Sequence, residues 1–184
     1  ATGIPSDFKD KENLFVVPLD VKTELYWHMT QVEVKVEKKL FPKISWPAPT
    51  LLPEPEEKRV AKEKEIFRQK IDVPSMPFNL QKAFLPPLKN MPKITSVFGE
   101  RRIRPKPHPA RIHNGVDLRA NSGTPVLSPN DGLVEISDNF YFEGGFLLIN
   151  HGGGIKSDFM HLSKLVVKTG DKVARGQIIG YTGK

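Results

Sequence analysis

None of the 184 residues is cysteine. That excludes disulfides, thiol nucleophiles and thiolate metal ligands, so a zinc site here would rest on histidine and carboxylate. Long apolar runs are also missing. The longest in the C-terminal half is Phe146-Leu147-Leu148-Ile149, far short of the ~18 residues that cross a bilayer as a helix. The chain opens at Ala1 with neither Met nor a signal peptide. The expectation is a processed or engineered start, which leaves export open. Glycine is scarce before residue 92, with 13 of the 14 beyond it, whereas 10 of the 17 prolines fall from Pro42 to Pro92. This shift places a boundary near residue 90, with the proline-rich stretch as connector.

The 38% hydrophobic and 27% charged content is that of an ordinary folded protein rather than a disordered one. The net charge of +7 is uneven: residues 93–184 hold 13 Lys/Arg against 8 Asp/Glu, and residues 1–92 hold 15 against 13. Much of the excess lies in Arg101, Arg102, Arg104, Lys106 and Arg111. Such a patch is either a solvated loop or a site for an anionic polymer. No aromatic residues interleave with it, so nucleic acid is not the expected partner.

The pattern reads as mostly β. Val32, Val34 and Val36 alternate with Glu33, Lys35 and Glu37, as in a half-buried strand. Leu14-Phe15-Val16-Val17 is a second apolar run, with Pro18 pointing to a sheet edge. From Glu54 to Lys70 the chain is charged and free of glycine, with a thin stripe of Val60, Phe67 and Ile71, which predicts a short exposed helix or hinge. Beyond residue 92, the runs Pro125–Leu127, Leu133–Ile136, Phe146–Ile149 and Gln177–Ile179 predict strands. Turns at Asn130-Asp131-Gly132, Glu143-Gly144-Gly145, Gly152-Gly153-Gly154 and Thr169-Gly170-Asp171 separate them. Short strands with glycine punctuation indicate an antiparallel sandwich or barrel. Three regions are expected: a β-rich domain at 1–52, a helix or hinge and connector at 53–92, and a β domain at 93–184.

The residues with most chemistry are His113 and Asp117, with Gly115 between them. In a flat strand their Cα atoms would lie roughly 13 Å apart, at about 3.3 Å per residue. Two donors on one zinc are only about 3.5 Å apart, since each bond is about 2 Å. The chain must bend if both bind, and Gly115 makes bending cheap. Other motifs carry less. His151-Gly152-Gly153-Gly154 would need a G-x-S-x-G nucleophile elbow to act as an esterase oxyanion loop, and the chain has none. His151 is expected at a strand end beside a glycine turn. Ile178 stands where a phosphate loop closing at Gly183-Lys184 needs its first glycine. His28 and His108 have no supporting context.

From about Thr95 onward the chain resembles the lysostaphin/LytM-type zinc endopeptidases of bacterial cell walls. The matching blocks run in order: Ser96-Val97-Phe98-Gly99-Glu100-Arg101, His113-x-Gly115-x-Asp117, Gly123-Thr124-Pro125-Val126 with Asp131-Gly132-x-Val134, Ile149-Asn150-His151-Gly152-Gly153-Gly154, Met160-His161-Leu162-Ser163, and Gly170 through Gly180. The N-terminal half resembles, more loosely, the β-rich domain preceding the catalytic domain in some Gram-negative members. The resemblance implies a LytM-like β domain whose groove holds Zn2+ through His113 and Asp117, with His161 as the catalytic imidazole beside the activated water. Arg101 would either contact a substrate carboxylate through its planar fork or be an ordinary surface arginine, and Tyr141 and Phe142 would either line the groove or fill a hairpin core. The implied activity is hydrolysis of amide bonds in peptidoglycan stems or cross-links, D,D cross-links above all, in the periplasm. The N-terminal domain would pack over the groove.

Three departures stand out. The family continues past Thr182-Gly183 into an H-x-H segment supplying a third ligand and a second imidazole, whereas the sequence ends at Lys184. The expectation is an inactive fragment of a longer enzyme. Phe159 and Ser157 stand where the family usually has Tyr and Thr. One rival reading is a non-catalytic LytM-like protein that recruits or activates another wall hydrolase, though such relatives usually lose the ligands retained here. Another is a lipoyl or biotinyl carrier, suggested by Gly170-Asp171-x-Val173-x-x-Gly176-Gln177, but the hairpin tips lack the lysine it needs.

Overall fold

A computed structural model describes residues 14–22, 27–35, 40–49, 51–71, 83–90 and 92–183. Val36 of the alternating run, and residues 72–82 and 91 of the connector, lie outside the described residues. In chain order the elements are β1 (Leu14–Lys22), β2 (Trp27–Lys35), β3 (Lys43–Ser45), α1 (Glu54–Ile71), β4 (Ile94–Ser96), β5 (Arg101–Ile103) and β6 (Arg111–Ile112). They continue with β7 (Asp117–Leu118), β8 (Pro125–Leu127), β9 (Gly132–Phe140), β10 (Gly144–Asn150), β11 (Lys156–Leu165), β12 (Lys172–Val173) and β13 (Ile178–Thr182). The chain is mostly β, as its pattern predicts. It forms two compact units: one comprises Pro49–Ser96 and Val116–Lys184, the other Thr2–Ala48 and Val97–Gly115.

The first unit is built on a curled six-stranded antiparallel sheet in the order β12-β9-β10-β11-β13-β8. Its centre is β10, in which Gly145 through Asn150 are all buried. Period-two alternation sends Leu147 and Ile149 into one cluster, with Val126, Val134, Leu162 and Ile179. Phe146 and Leu148 enter the other, with Ile136 and Phe140. This is why Phe146–Ile149 is continuously apolar: a strand covered on both faces has no side for polar residues. Each such side chain contributes about 1.5–3 kcal/mol on leaving water.

The helix α1 forms where the charged, glycine-free stretch predicts one. Glu54, Glu56 and Glu57 in its first turn and Arg68 and Lys70 in its last complement the helix dipole. Most of its residues are exposed, as expected, but one side packs on the sheet. Val60 is buried, and Ile66 and Phe67 pack against the Ile136/Phe140/Phe146/Leu148 cluster, covering the second face of the sheet. Phe67 meets Phe146 edge to face, with ring centroids 5.8 Å apart. At the helix C-terminus the Lys156 ammonium donates to the Lys70 carbonyl. It also pairs with the mostly buried Glu135 carboxylate at 2.8 Å. A further two-stranded sheet, β4 with β7, belongs to the same unit.

The second unit holds the β1–β2 hairpin, registered from Leu14 opposite Lys35 to Lys22 opposite Trp27. In this two-stranded ladder both strands are edges, and Pro18, which has no N–H to donate, is tolerated there. The unit also holds a three-stranded sheet, β3-β5-β6, in which β3 runs parallel to β5 and β6 antiparallel to it. Trp46 donates its N–H to the Ile103 carbonyl at 2.8 Å and extends that pairing.

Candidate metal and catalytic site

His113 follows β6 in the second unit, and its backbone is fixed on both sides. Its N–H donates to the Glu100 carbonyl at 2.9 Å, and its carbonyl accepts from the Gly99 N–H at 2.8 Å. Its ring Nδ1 lies 3.1 Å from the Val97 carbonyl oxygen. A carbonyl can only accept, so Nδ1 carries the proton. In the neutral ring Nε2 then holds the lone pair in the ring plane. Histidines that ligate metals commonly show this arrangement, one nitrogen anchored to a backbone acceptor and the other presented to the ion. Arg101, at the start of β5 in the same unit, is exposed, and its residue pairs with Ile112, next to His113.

Asp117, Tyr141, Phe142 and His161 belong to the first unit, so the chain passes from one unit to the other between His113 and Asp117. Asp117 begins β7, opposite Ser96, and is exposed. The Thr95 hydroxyl donates to its carbonyl at 3.1 Å. His113 and Asp117 both have the chemistry of zinc ligands. Among the described residues no group of three or more His, Cys, Asp or Glu is arranged to hold a metal.

His161 stands out in the backbone. It lies at φ +58°, the only non-glycine at positive φ among the described residues. The cause is a bulge between β10 and β11: Gly145 faces Leu162 and Leu147 faces Phe159, so Met160 and His161 share one place opposite Phe146. A left-handed conformation costs a non-glycine residue roughly 1–2 kcal/mol. It persists when surrounding structure holds it, and such residues concentrate at functional sites. Here the His161 N–H donates to the Glu143 carbonyl at 2.7 Å, and its carbonyl accepts from the Gly183 N–H at 2.8 Å. Glycine is required at both flanking contacts. A Cβ on Gly145 would lie 2.3 Å from the Leu162 oxygen, and one on Gly183 would lie 2.5 Å from the His161 oxygen. The side chain of His161 is exposed.

Tyr141, Phe142 and Glu143 form the tip joining β9 to β10, and Glu143 is the residue that holds the His161 N–H. The tip and the bulge are thereby brought together. The Tyr141 and Phe142 rings meet edge to face at 5.0 Å, with Tyr141 40% and Phe142 54% exposed. Nothing in the sequence points to the tip's other partner. Glu63 of α1, only 9% exposed, accepts from the Tyr141 N–H at 2.9 Å and from Arg59 at 2.8 Å. In sequence Glu63 is one of many charges on a helix and carries no signal of its own.

His151 is buried at the end of β10, as its glycine turn suggests. Its Nδ1 donates to the Asp131 carbonyl at 2.8 Å, and its Nε2 accepts from the Ser157 hydroxyl at 3.0 Å. Burial holds its pKa below the ordinary imidazole value, partly offset by the Asp131 carbonyl and charge. The ring is therefore a neutral structural member.

Residues 111–184 match the model of Peptidase family M23. Among similar proteins, "Peptidoglycan DD-endopeptidase ShyA" of Vibrio cholerae is 40% identical over 106 residues, covering 57% of this chain and 25% of that protein. A Pseudomonas aeruginosa structure described as an M23 peptidase superposes with a TM-score of 0.65 at 28% identity, over 100% of this chain and 67% of that one. A "zinc containing peptidase" from Vibrio cholerae gives a TM-score of 0.51 at 36% identity, over 56% of this chain and 33% of that one. The matched stretch spans about a quarter of the length of the first curated relatives.

Proposed function

We propose that this protein is a zinc-dependent endopeptidase of the bacterial periplasm that hydrolyses amide bonds between peptide stems of peptidoglycan, the D,D cross-link above all. The observation that carries the reading is His161. An exposed imidazole sits on a left-handed bulge pinned from both sides, in the segment where the resemblance to the peptidase family puts a catalytic residue. The relatives named as peptidoglycan endopeptidases support the substrate class.

His113 and Asp117 would hold the zinc, one through Nε2 and the other through its carboxylate. Zinc, when bound, makes water a nucleophile near neutral pH and polarises a carbonyl. His161 takes or returns a proton at its ring nitrogen as the amide is attacked, or donates a hydrogen bond to the developing oxyanion. The fixed backbone holds the ring's point of attachment still, so less reorganisation is needed when charge develops. Arg101 presents a planar cation suited to a stem carboxylate, and Tyr141 and Phe142 present exposed rings to the peptide.

The test is digestion of purified, cross-linked peptidoglycan by the full-length protein, with products separated by mass. Cross-linked fragments should convert to monomers, zinc should copurify, and chelation should stop the reaction. Proton-transfer groups of this kind contribute about 10²–10⁴-fold, so His161→Ala should lower turnover at least a hundredfold. Equal turnover by that variant would overturn the role of His161. Binding without cleavage by the zinc-loaded protein would favour a non-catalytic wall-binding protein instead.

A further inference from the structure

We propose that Glu63 is a positioning residue for His161, acting through the β9–β10 tip. This rests on His161 being the catalytic imidazole. The chain of contacts is short and continuous within one unit. The Glu63 carboxylate accepts the Tyr141 N–H at 2.9 Å, the tip runs two residues on to Glu143, and the Glu143 carbonyl accepts the His161 N–H at 2.7 Å.

A buried carboxylate is costly unless both of its oxygens are satisfied. Glu63 meets that condition with partners that also hold the tip. One oxygen takes Arg59 Nε at 2.8 Å, and the other takes the Tyr141 N–H. Arg59 in turn donates to the Asn139 carbonyl at 2.7 Å, and its guanidinium stands over the Tyr141 ring, 5.8 Å from its centroid. The end of β9 and the start of the tip are thus bound to α1 by three polar contacts.

Apolar packing alone would not hold the tip there. A cavity of about 160 Å³ lies beside these contacts, lined by Val60, Phe67, Phe140, Phe142 and Met160 among others. Phe142 and Met160 are 54% and 44% exposed. Next to that gap, hydrogen bonds from α1 fix the height of the tip and therefore the carbonyl that restrains His161. At the other end of the helix, Lys156 ties the Lys70 carbonyl to the start of β11, the strand that carries His161. The helix braces both segments that meet at the bulge.

The test uses the full-length, ¹⁵N-labelled protein and compares Glu63→Ala with Glu63→Gln. In Glu63→Ala, amide hydrogen exchange at His161 should quicken at least tenfold while Leu147 and Ile149, in the buried centre of β10, keep their rates. Turnover should fall about tenfold with KM little changed. Glu63→Gln retains an oxygen for the Tyr141 N–H but no longer accepts from Arg59, so it should restore most of both. If Glu63→Ala does not fold, Arg59→Ala, which changes a half-exposed side chain, should give the same exchange pattern in weaker form. Unchanged His161 exchange in a folded Glu63→Ala protein overturns the brace, as does acceleration spread evenly over the core. The exchange measurement needs no activity, so it separates this proposal from the catalytic one, which fails if His161→Ala retains full turnover or if the zinc-loaded protein binds without cleaving.

Discussion

The six-stranded and three-stranded sheets of this chain are held together by different means. At the centre of the larger, every residue from Gly145 to Asn150 is buried and two apolar clusters grip its faces. In the smaller, β5 and β6 are nearly all exposed, and the interactions are backbone pairing, Arg102 stacked 4.2 Å over the Trp46 ring, and a Phe41–Phe98 edge contact. One sheet is fixed by volume and hydrophobic burial, the other by register and a few polar and aromatic contacts. Asp117 and His161 belong to the unit of the first sheet, and His113 and Arg101 to the unit of the second.

The contrast is sharpest for single truncations. Leu147→Ala, at a side chain with 0% exposure, should cost about 2–5 kcal/mol because a cavity replaces contacts on a packed strand. Ile112→Ala, at 43% exposure in the smaller sheet, should stay within about 0.5 kcal/mol. Denaturant midpoints of the two variants check this, and similar losses would mean that the sheets are not held differently.

A second probe is pH. His151 has a folded pKa depressed by burial, so the unfolded chain binds the proton more readily. Its contribution to stability is complete above the ordinary imidazole pKa of about 6.5. It is lost as pH falls from there toward the lower folded value. The denaturant midpoint should therefore drop across that window, and His151→Asn should flatten this part of the profile. A wild-type midpoint that rose on acidification in that window would contradict the neutral buried ring.

A small and local effect is expected at Trp46. Replacing it with alanine removes the face beneath Arg102, a contact of about 0.5–1 kcal/mol when partly exposed. The loss should appear in the smaller sheet, as faster amide exchange at residue 46, whose N–H donates to the Ile103 carbonyl, and should leave β10 untouched. Acceleration in β10 would show that the two sheets share one cooperative core.

Much of the larger sheet was legible because its signals are local. Pro125–Leu127 coincides with β8, Leu133–Ile136 and Phe146–Ile149 lie inside β9 and β10, and the charged stretch after Glu54 is a helix. The strand Lys156–Leu165 was not read as one. It mixes Asp158, His161 and Lys164 among its apolar residues, and a bulge breaks its alternation at Met160 and His161. The parallel pairing of Lys43–Ser45 with Arg101–Ile103 was out of reach for another reason. Segments nearly sixty residues apart carry no local trace of their pairing.

The sequence by itself determined the material of the site: imidazoles at 113 and 161, a carboxylate at 117, no thiolate, and the glycines that let backbones approach. Local composition and spacing encode these, because each is a property of neighbouring residues. Only the tertiary structure decided that His161 sits in a left-handed bulge, that Glu63 holds the tip which holds it, and that His151 is sealed and neutral. Those outcomes depend on burial and on contacts between distant segments, which arise only once the sheet has closed on its core.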